Sequence, residues 1–127
     1  MGHMLMIGPP FDAFAASEIV LATVLGWPGV TGAEGPTEAS TELRFRRQML
    51  GHVYAVCGEH SAVDAIFPPT MGEALIALGR GERHPVTAEP GWVLKCIHAE
   101  ADVAAAIELL RDNYDRIASR LRLVVSN

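Results

Sequence analysis

Four residues near the middle of the chain are of the types that proton transfer needs: Glu42, His52, Asp64 and His84. Imidazole is the side chain that most readily exchanges a proton near neutrality, and a carboxylate can orient it or share its proton. Brought together by the fold, these four would make an acid/base site. Kept apart, each has an ordinary structural explanation. His52 follows Gly51 in an apolar stretch, where a histidine more often serves as a hydrogen-bonded structural residue than as a base. His84 lies between Gly81 and Pro85 in a loop, the setting in which ligand contacts concentrate. Loop placement also implies that its removal costs little stability, within about 0.5 kcal/mol. Arg44, Tyr54 and Trp92 are the candidates for ligand contact, offering a cation, a phenol and an indole. Glu42 and Arg44 share one face of a strand, although alternating charges there usually form its solvated side.

Cys57-x-x-His60 and Cys96-x-His98 together supply four soft or borderline metal ligands. Neither spacing is a Cys-x-x-Cys knuckle, Cys96 beside Trp92 reads as core, and Cys57 needs no role beyond packing. The expectation is therefore no metal and no cofactor. Cys57 and His60 also have the types for nucleophilic catalysis, but no third group is evident to orient the base. Gly79-Arg80-Gly81 follows a helical segment, so it reads as a helix stop; a phosphate cradle would lie between a strand and a helix.

The elements that must hold these residues follow from pattern. Phe11 to Leu25 carries a stripe of Phe14, Ile19, Val20, Val24 and Leu25, a helix stopped by Gly26-Trp27-Pro28-Gly29. Val30 to Ala33 reads as a short strand. Glu42 to Arg46 alternates strictly, which puts Leu43 and Phe45 inward and predicts a hairpin with the strand Leu50 to Val56. Ala62 to Phe67 is a third strand, ended by Pro68-Pro69, and Met71, Leu75 and Leu78 give a short helix closed by Gly79. A strand over 91–97 sets Lys95 opposite Trp92, Leu94 and Cys96. From Glu100, Val103, Ile107, Leu110, Tyr114, Ile117 and Leu121 mark the strongest helix. This order implies an α+β fold, an antiparallel β-sheet with helices packed on one face in a two-layer sandwich.

At 127 residues and 13.6 kDa the chain has the size of a single domain, residues 1–127, with a real core. Residues 1–10 include Gly2-His3-Met4, which reads as an expression-vector remnant before a disordered start, so His3 is left out of any site. A net charge of −5 is the wrong sign for a protein whose affinity comes from neutralising phosphates, which disfavours nucleic acid. The longest apolar stretch, 19–25, is far short of a membrane span. Two cysteines read as reduced thiols and imply a cytoplasmic location.

A family resemblance is carried by Trp27-Pro28-Gly29-Val30, Glu42-Leu43-Arg44-Phe45, Leu50-Gly51-His52-Val53 and Asp64-Ala65-Ile66-Phe67-Pro68. Gly79 to His84, Gly91-Trp92-Val93 and Leu109 to Arg116 continue it in unbroken order. This set, over residues 22–117, resembles the luciferase-domain family of small bacterial and fungal proteins. By the family's name the resemblance implies luciferase activity. It also implies a second histidine two residues after Gly-His and a paired histidine before the Gly-Trp strand, where this chain has Tyr54 and Arg83. The element order is similar, too, to the double-wing domains of the YjbR type, which implies DNA binding as a third option. No catalytic motif comes with the family. The residues thus favour a small non-enzymatic domain that binds a small molecule or a protein partner, and a homodimer is one assembly open to it. The alternative is a small enzyme with an acid/base pocket at His52, His84, Glu42 and Asp64.

Overall fold

In the computed structural model, which describes residues 11–58, 60–87 and 89–126, helix α1 (Ala13–Leu25) starts at an N-cap. The Asp12 carboxylate there accepts the Ala15 N–H at 3.0 Å, one of the donors a helix start leaves unpaired. Strands β1 (Val30–Glu34), β2 (Ser40–Phe45), β3 (Gln48–Cys57) and β4 (His60–Ile66) follow as a meander. Helix α2 (Pro69–Ala77), strands β5 (Glu82–Arg83) and β6 (Trp92–Ile97), and the long helix α3 (Glu100–Ser126) complete the chain. The six strands are antiparallel in the order β1-β2-β3-β4-β6-β5. Helices α1 and α3 pack on each other and on the central strands, while α2 packs against β6. The expected α+β architecture is the one found. Among the described residues no helix is long and apolar enough to cross a membrane.

One core lies between the sheet and the helices, built on Val20 and Val24 of α1, Leu43, Phe45, Leu50 and Val53 of the hairpin, and Leu109, Leu110 and Ile117 of α3. Tyr114 stacks on Phe45 with ring centroids 4.3 Å apart and donates its hydroxyl to the Pro28 carbonyl at 2.7 Å. Gly79 closes α2 as expected. It adopts φ +77°, and its N–H and that of Arg80 donate to the Ile76 and Leu75 carbonyls, a Schellman cap.

Three local readings change. The face that α1 buries is Ala16, Ser17, Val20 and Val24, whereas Phe14, Ile19 and Leu25 are exposed. Small residues win because α1 crosses both the sheet and α3, and only short side chains allow that approach. In β6 the core side is Val93 and Ile97, so Trp92, Leu94 and Cys96 point to the opposite face. Lys95 stays on the helix side because its ammonium ends 3.4 Å from Asp102 at the start of α3. Strand β5, which the sequence pattern did not reveal, is a two-residue edge pairing with β6.

Candidate functional site

Antiparallel pairing sets Glu42 opposite His52, His52 opposite Asp64, and Asp64 opposite Leu94. Directly opposed residues share a face. This row crosses the sheet on the side away from α1 and α3. A bulge decides that placement: pairing shifts between Leu43 and Arg44, so the β2–β3 ladder steps over Leu50. The extra residue lets both Leu50 and Val53 enter the core, although they are an odd number apart, and leaves His52 on the face turned away from α1 and α3. The Leu50 carbonyl released by the bulge is taken up by the buried Asn113 side chain of α3, whose Nδ2 donates at 2.9 Å. Gly51 beside it has φ +155°, and a Cβ there would run into the Asp64 carbonyl. Only glycine lets β4 lie this close to β3 at the site.

Asp64 is the hub. Its side chain is 2 % exposed, and the carboxylate is approached by three groups: His52 Nδ1 at 2.9 Å on Oδ1, and the Tyr54 hydroxyl at 2.8 Å and His84 Nε2 at 3.2 Å on Oδ2. Burial, reinforced by the Asp64 charge and hydrogen bond, pushes the Tyr54 phenol well above its ordinary range. Tyr54 therefore stays protonated and donates. The His84 tautomer is set by its other nitrogen, since Nδ1 accepts the backbone N–H groups of Val86 and Thr87 at 3.2 and 3.1 Å. Nε2 must then carry the hydrogen given to Asp64.

His52 differs. With Nδ1–H donated to Asp64, its Nε2 is left as an acceptor, and the nearest carboxylate oxygen, Glu42 Oε1, stands 4.0 Å away. That separation is too long for a direct hydrogen bond, yet one ligand atom between the two could contact both. Arg44 fixes Glu42 through Nε–Oε2 at 2.7 Å and also donates to the Arg47 carbonyl at 3.2 Å. Trp92 walls the site, its ring 5.8 Å from His52 and 6.2 Å from His84.

All seven residues singled out for catalysis or ligand contact thus fall in one connected group on one face. The expectation for His84 needs correcting. Its side chain is 10 % exposed, and it ties a loop to Asp64 while organising that loop's next turn. Position in a loop says nothing of burial when the loop folds back over a sheet. Arg83, at the other position where the resemblance implies a histidine, pairs with Glu73 on the exterior at 2.9 Å. Sequence spacing missed the bulge and the part played by Gly51; the Gly-His dipeptide within a strand was the available signal.

Two further features lie apart from this hub. His60, Cys96 and His98 stand together at the end of the same face, their ligand atoms within 4.8 Å of one another. Burial first, then Glu82 and Cys57, push the Cys96 thiol up. On the other side of the molecule a cleft of about 660 Å³ is bordered by Phe45, Arg46, Arg111, Tyr114 and Leu121. None of its lining residues belongs to the Asp64 network, and it brings together no acid/base pair of the kind Asp64 and His52 form.

Fold and site together define a small α+β domain with a buried carboxylate hub on the face of an antiparallel sheet turned away from α1 and α3. The luciferase-domain profile matches residues 47–113, from β3 into α3, which is more than half of the 127 residues. The chain belongs to the luciferase-domain family. No curated protein and no solved structure matches it. The matched stretch holds His52, Tyr54, Asp64, His84 and Trp92, whereas Glu42 and Arg44 precede it.

Proposed function

We propose that the Asp64 face binds a small organic molecule and that His52 removes a proton from it. The observation that carries this reading is the buried Asp64 carboxylate holding His52 by Nδ1, which leaves Nε2 as a base facing Glu42 Oε1 at 4.0 Å. An oriented imidazole of this kind takes up a proton at Nε2 while the carboxylate steadies the cation that forms. Tyr54 and His84 keep Asp64 in place, and Glu42, held by Arg44, meets a hydroxyl or amine of the ligand. Trp92 supplies an apolar wall. The substrate class is a compact molecule with a weakly acidic O–H or C–H. In any oxidation of the sort the family name implies, the part of His52 is this proton removal. We assign the chain to the cytoplasm on its two free cysteines, Cys57 and Cys96.

The test begins with a thermal-shift screen of enolisable acids, phenols, flavins and nucleotides, in which a ligand of the native state raises the midpoint. Each hit is then followed by NMR in D₂O for exchange of its acidic C–H. Wild-type protein should catalyse exchange. Asp64→Asn should fold but slow exchange by about 10²–10⁴-fold, the range typical of general-base catalysis, because its amide turns His52 into the other tautomer. Binding with no exchange, or exchange unchanged in Asp64→Asn, would leave a binding domain without proton transfer.

A further inference from the structure

Away from the Asp64 hub, the end of the same face gathers three side chains for which the network above has no use. Ala62 pairs with Cys96 and Ser61 with Ile97, so the next step of the same register brings His60 alongside His98. Their rings lie 4.3 Å apart, tilted by 44°. Cys96, two residues before His98, is on the same face as Ala62 and His60. Among the described residues neither imidazole nor the Cys96 thiol is engaged in a side-chain hydrogen bond, and their ligand atoms lie within 4.8 Å of one another.

The backbone presents these groups firmly. Asp102 Oδ2 accepts the His98 and Ala99 N–H groups at 2.9 and 3.1 Å, fixing the turn from β6 into α3 from which His98 projects. On the other strand pair, Cys57 stands opposite His60 across the β3–β4 hairpin. The hairpin thus holds Cys57 next to His60, at the border of the His60, Cys96 and His98 group.

We propose that His60, Cys96 and His98 bind a divalent transition metal of the zinc class, with Cys57 able to supply a fourth ligand. Two imidazoles and a thiolate are borderline-soft donors that suit zinc or cobalt; calcium and magnesium require oxygen ligands. Metal–nitrogen and metal–sulfur bonds of about 2.0–2.3 Å place tetrahedral ligand atoms roughly 3.3–3.8 Å apart, so the group closes by about 1 Å on binding. Rotation of the exposed His98 ring supplies that movement without disturbing the clamped backbone. The bound ion ties the β3–β4 hairpin, through His60, to the turn from β6 into α3, through His98.

The experiment titrates Co²⁺ into chelator-treated protein and follows the thiolate-to-cobalt absorption band, then displaces cobalt with Zn²⁺. The expected result is one equivalent bound, with a thiolate band that Cys96→Ser abolishes. His60→Ala and His98→Ala should each weaken zinc at least about 100-fold, the upper end of what even outer-shell changes cost. His98 is exposed, so His98→Ala reports on binding even where a more buried variant folds poorly. Absence of a stoichiometric thiolate band, or zinc affinity unchanged in both Cys96→Ser and His98→Ala, overturns the proposal. Neither result depends on His52 or Asp64, so this site and the proposed base stand or fall separately.

Discussion

Replacing Asp64 with alanine tests whether the hub is as tightly built as its geometry indicates. The substitution removes the acceptor of three donors at once: His52 Nδ1, the Tyr54 hydroxyl and His84 Nε2. A buried donor left without an acceptor costs ~1–3 kcal/mol. The His52 and His84 side chains are each 10 % exposed, so water reaches their edges and the low end applies to each. The total expected is ~3–5 kcal/mol, the loss usual when one member of a buried polar cluster is deleted. Urea unfolding followed by circular dichroism measures it. With an m-value near ~2 kcal/mol per M the midpoint falls by about 2 M and the slope stays unchanged. His84→Ala should cost ~1–3 kcal/mol, because the buried Asp64 carboxylate loses a donor and the part-buried Thr87 N–H loses its acceptor. Combined with Asp64→Ala its effect should be less than additive, since both remove one shared bond. A loss under ~1 kcal/mol for Asp64→Ala, or strict additivity of the pair, would refute the reasoning.

The hairpin and the α3 cap allow two more tests. Phe45, 5 % exposed and stacked on Tyr114, should cost ~3–5 kcal/mol when cut to alanine, read from the same urea midpoints; a value under ~1 kcal/mol would put it on the surface. The His98 N–H foremost, helped by Lys95 and Ala99, holds the Asp102 carboxyl below its ordinary value. A carboxylate depressed in the folded state stabilises fully above its unfolded pKa, ~3.9, and loses that contribution as pH falls through the lower folded value. The gap in melting temperature between wild type and Asp102→Asn should therefore be constant above about pH 5 and close toward about pH 2. A gap that widens on acidification would contradict the assignment.

Periodicity is a local property, and it read β2 and α3 correctly while misplacing part of the α1 stripe and the core side of β6. Strict alternation over 42–46 placed Leu43 and Phe45 in the core, three- and four-residue steps marked α3, and Gly79 marked the end of α2. The hairpin between β2 and β3 and the α+β class followed from that order. Glu42, His52, Asp64 and His84 could be picked out by residue type, since few side chains move protons near neutrality.

Whether those residues meet depends on phase and register, which are not local. One extra residue at Leu50 turns His52 away from the core, and an absent Cβ at Gly51 lets Asp64 approach it. Both effects exist only when β2, β3 and β4 are laid side by side. In β6, Val93 and Ile97 take the core because α3 lies over that side, a choice the alternating pattern allows equally well in reverse. His84 looked exposed in the sequence, and it is the fold of its loop over the sheet that buries it against Asp64. The sequence by itself determined which side chains could do chemistry and which segments pair or coil. Tertiary structure decided which of them share a face, because a strand's two sides are distinguished only by what packs on them.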